Sequence, residues 1–199
     1  MKVSASSGKT FDLIPAGNHT GRCFQVIELG KQPSGNPAFD PKQKVMIGWE
    51  LPGILIDIDG EKKPRIISQE YTANIGTMAN LGRDLVAWRG RDFTKEEAKS
   101  FNLDTILGVP CSINVIHKET NTGTYANIKG LSPLNVDLKC PPAILDVIKY
   151  DLVDGEPPET IPQWIRDKIA KRLPDDEEKP VEEAKPAFDT SEDTDEPPF

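Results

Sequence analysis

Residues Gln43 to Leu51, QKVMIGWEL, put Val45, Ile47, Trp49 and Leu51 on one side of an extended chain and Lys44, Met46, Gly48 and Glu50 on the other. A period of two is what a strand with one buried face requires, and a helix, with about 3.6 residues per turn, cannot satisfy it. Apolar alternating stretches recur at Thr20 to Leu29, Ile66 to Ala73, Pro110 to Lys118 and Thr124 to Leu131, so the sequence predicts five main strands. Between the third and fourth the period changes. Met78, Leu81, Leu85 and Trp88 then share one side of a helix expected over about 77–88 and closed by Gly90. Thr94, with Glu97 three residues later, is a capping box for a second short helical turn.

The connections agree with that order. A Pro-Ala-Gly turn leads into the first strand, and a loop rich in Pro, Gly and Asn spans Lys31 to Lys42. Asp59-Gly60 marks a hairpin between two extended pieces, and the polar run Glu119 to Gly123 joins the last two strands. Near the C-terminus, Ile161, Trp164, Ile165 and Ile169 fall on one stripe of a helix that either docks on the body or recognises a partner. Three strands, a helix and two strands predict a mainly β fold. The expected form is an OB-fold, a five-stranded Greek-key barrel with a helix between strands 3 and 4, plus a C-terminal helix and a disordered acidic tail. A small α+β sheet would give a similar string, and the barrel is the favoured reading.

Charge divides the chain further. The formal net charge is −8, but Pro174 to Phe199 holds eleven Asp or Glu against Lys179 and Lys185, leaving 22 basic and 21 acidic residues over Met1 to Leu173. The acidity belongs to the tail, so the total does not exclude nucleic acid. With five prolines and few large aliphatics, the tail is expected to be disordered. The expected organisation is a flexible arm (1–10), a barrel (11–135), an extension with an amphipathic helix (136–173) and an acidic partner-binding tail (174–199).

Cys23, Cys111 and Cys140 are odd in number, which fits free thiols in a reducing compartment. The N-terminal residues lack the apolar stretch of a signal peptide, and no apolar run approaches the ~20 residues that span a bilayer. The expectation is a soluble cytoplasmic protein without a membrane partner.

Enzyme chemistry finds little support. His19 and His117 are the only histidines, no nucleophile elbow, zinc-binding helix or paired-cysteine motif occurs, and Gly8-Lys9-Thr10 lacks the earlier glycine of a phosphate loop. The expectation is no catalysis, no cofactor and no metal. Asp57, Asp59 and Glu61 share one strand parity and could in principle serve a magnesium-dependent nuclease, but they read better as the solvated side of a hairpin.

A single-strand binder needs cations for phosphates and aromatic rings as platforms for bases. Arg22 and Phe24 share a face of the first strand, Lys44 lies opposite the apolar face of the second, and Arg65 and Tyr71 share parity on the third. Tyr125, Asn127 and Lys129 project together from the last strand, opposite Ala126 and Ile128, and Lys118 ends the strand before it. These nine residues are the candidate single-stranded-DNA face. Trp49 and Trp88 are in step with apolar neighbours and are expected in the core.

The ending DTDEPPF resembles the acidic tip of bacterial and phage single-stranded-DNA-binding proteins, which closes on Asp residues followed by Ile-Pro-Phe; Pro197 stands where that family usually has Ile. The segments IPAGNHTGRCFQVIELG, WELP, NLGRDLVAWRGRDFT and LGVPCSINVIHKETNTGTYANIKGLSPL resemble tailed-phage proteins taken to be single-strand binders, over about 14–134. The resemblance implies a barrel that coats single-stranded DNA during phage DNA replication or recombination in the host cytoplasm. It also implies a tail that recruits replication, recombination or repair proteins through Asp193, Asp195, Glu196, Pro197, Pro198 and Phe199. The rival expectation is a non-DNA-binding adaptor or DNA mimic acting through the tail. Whether the chain forms a homo-oligomer is left open by the sequence.

Overall fold

A computed structural model describes residues 12–174; the expected arm, at 1–10, and the acidic stretch from 175 onward lie outside the described residues. The described chain is mainly β, with strands β1 (Gly17–Gln32), β2 (Lys42–Ile58), β3 (Glu61–Thr72), β4 (Pro110–Thr120), β5 (Gly123–Ser132) and β6 (Ile148–Tyr150). Two α-helices, α1 (Asn80–Arg89) and α2 (Gln163–Ala170), accompany them with three short 3-10 turns. The first five strands form a curled antiparallel half-barrel in the order β3-β2-β1-β4-β5. No helix among the described residues is long and apolar enough to cross a membrane.

The long first strand organises the sheet. Gly17 to Arg22 pair with β4, whereas Arg22 to Gln32 pair with β2, so one strand serves both halves of the curl. Where β4 leaves, β6 takes its place and pairs in parallel with Gln25 to Ile27. A register shift between Cys23 and Gln25 leaves Phe24 as the extra residue of a bulge, which bends the strand and changes which side its neighbours face.

The inward faces hold one core. Cys23 and Val26 from β1, Val45, Ile47, Trp49 and Leu51 from β2, and Cys111, Ile113 and Val115 from β4 meet Leu81, Leu85 and Trp88 of α1. The predicted helix stripe is therefore correct from Leu81 onward; Met78 precedes the helix and is 91% exposed. The Trp49 and Trp88 rings tilt against each other with centroids 5.9 Å apart. Gly82 has to be glycine, because a Cβ there would sit 2.5 Å from the Ile75 carbonyl oxygen. Gly90 ends the helix at φ 68° and donates its N–H to Val86 O. The capping box also forms, with Glu97 N–H donating to Thr94 Oγ1 and Thr94 N–H to Glu97 Oε2. Hydrogen bonds from Arg91 and from the Thr94 N–H hold the Glu97 carboxyl down to about 2. Burial pushes the Cys23 thiol up to about 12, in keeping with an unreactive core residue.

A second core lies on the opposite side of β1 and β2. Ile27, Leu29 and Met46 point outward there and are covered by Tyr150, Ile161, Ile165 and Ile169 of the C-terminal extension. Burying one such isoleucine is worth roughly 1.5–3 kcal/mol. The predicted helix thus docks on the body through Ile165 and Ile169, whereas Ile161, expected on the same stripe, is buried in the segment just before the helix, and Trp164, also expected there, is 56% exposed. Polar bonds fix the ends of this cover. Leu152 N–H donates to Glu28 Oε2, Gln32 Nε2 donates to Lys168 O, and Leu173 N–H reaches Lys31 O.

Candidate nucleic-acid interface

Cross-strand register decides which candidate residues meet. On β4 and β5, Lys118 pairs with Tyr125 and Ile116 with Asn127, while Val115 opposes Ile128 before a register shift. Directly paired residues share a face with Cβ atoms about 5 Å apart. Ala126 and Ile128 pack against the inner core, so Tyr125 and Asn127 point outward with Lys118 and Ile116. Lys129 also projects outward and is exposed, about 13 Å along the strand from Tyr125. Tyr125 is 48% exposed, and its phenol oxygen lies 3.1 Å from Thr122 Oγ1 in the hairpin turn. That bond holds the ring at its tip and leaves ring surface open to solvent. Neither Lys118 nor Lys129 is ion-paired among the described residues.

The sequence picked out these four residues together but missed Ile116, 38% exposed and directly opposite Asn127. Its parity with Lys118 was the available signal. The hairpin's other side is anchored where His117 Nε2 contacts Ile14 O at 2.8 Å, holding the segment that leads into β1.

Of the remaining five candidates, Arg22, Phe24, Lys44 and Tyr71 have structural duties. Tyr71 is 2% exposed, because β3 turns Ile67, Gln69 and Tyr71 toward Trp49, Ile47 and Val45 of β2. Its hydroxyl donates to Asp84 Oδ2 at 2.8 Å, tying β3 to α1, and burial followed by the Asp84 carboxylate pushes the phenol above its usual range. Arg65 shares that inward parity opposite Leu51 and is half-buried. Phe24, the bulge residue, is 5% exposed under the extension. Neither ring offers a platform to a base.

Arg22 and Lys44 are held by acids. Glu50 is fully buried, and its carboxylate accepts N–H bonds from Ile144 at 3.1 Å and Leu145 at 2.9 Å. Arg22 Nε lies 3.9 Å from Glu50 Oε1, and the guanidinium donates to Gly108 O and Pro141 O. Together they clasp the extension to the barrel wall. Lys44 pairs with Glu70 at 3.8 Å, and Glu70 also binds Lys168 of α2. Asp57 accepts the Gly60 N–H and Glu61 pairs with Lys63, so both acids serve the β2–β3 hairpin; Asp59 and Gly60, at φ 55° and 88°, form its turn. Among the described residues no group of three acidic, His or Cys side chains is arranged to hold a metal ion. The candidate tail residues Asp193, Asp195, Glu196, Pro197, Pro198 and Phe199 lie outside the described residues.

No protein-family model matches the chain, and no curated protein matches it in sequence.

Proposed function

We propose that this protein binds single-stranded nucleic acid along the outer face of the β4–β5 hairpin, with Tyr125 as the stacking platform. Lys118 and Lys129 would meet phosphates on either side, and Asn127 offers hydrogen bonds to base edges. The observation that carries the reading is the set of four binding-type side chains on one solvent-facing surface. In this reading the half-barrel, with its helix between β3 and β4 in the chain, is an OB-fold used in DNA replication or recombination. The resemblance of DTDEPPF to single-strand-binder tips supports a further role, recruitment of partner proteins by the acidic stretch.

The adaptor reading keeps one specific support. Residues 12–174 carry 20 basic and 21 acidic side chains, a balance that gives little long-range attraction for phosphate. Anisotropy titration of a labelled oligo-dT and of a duplex of equal length, at several salt concentrations, separates the two. The proposal expects preference for the single strand, with a salt slope of about −0.7 per phosphate contacted. Absence of binding to either at low salt would transfer the protein to the adaptor class.

A further inference from the structure

One groove of about 620 Å³ lies between the outward side of β3, the segment leading into β6, and the start of α2. Around it Trp164, Val147 and Ile66 are 56%, 55% and 48% exposed, three large apolar side chains meeting water at one concavity. Ile165, the neighbour of Trp164, turns inward to the second core, so the indole is held at the rim by a rigid helix.

We propose that Phe188 of this same chain docks in that groove, bringing the acidic stretch back along α2. Length supports this occupant. Trp164 lies six residues before the end of α2, and four more lead to Pro174. At ~1.5 Å per helical residue and ~3.3 Å per extended one, Pro174 lies roughly 20 Å from the groove. Fourteen further residues reach Phe188. Fourteen residues span about 21 Å root-mean-square on the scaling for a Gly-rich chain, and the like charges and prolines of this stretch lengthen that figure, so Phe188 is within reach of the groove.

Charge gives the return its direction. Lys168 is engaged by Glu70, while Arg166 bonds Gln163 and Arg172 bonds the Ile169 carbonyl, leaving Arg166, Lys171 and Arg172 without a carboxylate partner among the described residues. The next residues are Asp175, Asp176, Glu177 and Glu178. Four acids beside three cations favour a path along α2 over one leading away from it. The docking does not depend on nucleic-acid binding.

Acrylamide quenching of tryptophan fluorescence tests it, because Trp49 and Trp88 are buried and Trp164 dominates the accessible signal. Packing against a second aromatic covers much of a ring, so F188A is expected to raise the quenching constant about twofold. F199A should leave it unchanged, and the F188A effect should vanish when Trp164→Phe is added. The full-length protein should give one value across a wide dilution range. Equal quenching of F188A and the parent protein overturns the proposal, as does an F199A rise of the same size. Quenching that climbs on dilution also overturns it, assigning the groove to a second copy of the chain.

Discussion

The outer surface of this half-barrel has two fates. Over β1 and β2 it is apolar, with Ile27, Leu29 and Met46 sealed under Tyr150 and three isoleucines of the extension. Over β4 and β5 it is bare and polar, carrying Lys118, Tyr125, Asn127 and Lys129. The two tyrosines state the contrast most simply: Tyr71 is closed in the interior with its hydroxyl bound to Asp84, and Tyr125 stands half in water. A sheet buried on both faces is committed to stability. The surface available for a ligand is where cover is missing and cations lack counter-ions.

The largest expected effect comes from opening the covered side. Glu50→Ala removes the acceptor of three N–H contacts and leaves Arg22 facing a half-buried gap. Loss of one partner of a buried pair costs about 3–5 kcal/mol. Urea denaturation should show that loss, and amide exchange should rise first at Ile144, Leu145 and β6. Unchanged exchange there would mean that the isoleucines alone hold the extension. Removing one of them sharpens the point: Ile165→Ala is expected to cost about 2–4 kcal/mol while leaving the hairpin's exchange unaltered.

On the bare side, Tyr125→Ala should weaken oligo-dT binding by about 1–3 kcal/mol, the usual worth of one stacked base. Its melting temperature should stay near that of the parent. Tyr71→Phe should do the reverse, costing about 1–3 kcal/mol of stability through the unpaired Asp84 and leaving affinity unchanged. The two tyrosines would lose their distinction if both variants shifted affinity alike.

Tyr71 also sets an alkaline limit. Its folded-state pKa lies above the ordinary value of 10.0, so on raising the pH past that value the unfolded chain releases the proton while the folded one keeps it. Stability therefore falls above pH 10.0, and a melting-temperature series on Tyr71→Phe should fall less steeply there. The smallest effect belongs to Lys129→Ala, which should flatten the salt dependence of binding by about 0.7 with a modest loss of affinity.

Much of this division was legible in the residues. The inward parity of β2 and β5, the Asp59-Gly60 turn, the αL Gly90 and the Thr94–Glu97 cap all follow from local chemistry and occur where it places them. But β2, expected to have one buried face, is buried on both because the extension covers Met46, Gly48 and Glu50. Tyr125, Asn127 and Lys129 were found because β5 has one apolar and one polar side, so parity alone sorts it, and Lys118 was found as the cation that ends β4, the strand paired with it. Parity failed at Phe24 because β1 is buried on both sides, and the bulge there changes its phase. It failed at Tyr71 because a phenol suits an exposed face or a buried one with a partner, and that partner, Asp84, comes from another element. β6 is three residues long and exists because β1 has an edge that β4 vacates, which no local pattern encodes.

The most direct test is an amide-exchange footprint of the full-length protein with and without oligo-dT. The account predicts new protection concentrated at Ile116 to Lys129 and none at Met46 to Gly48 or along α2. Protection confined to α2 and the β3 groove, with the hairpin unchanged, would contradict it.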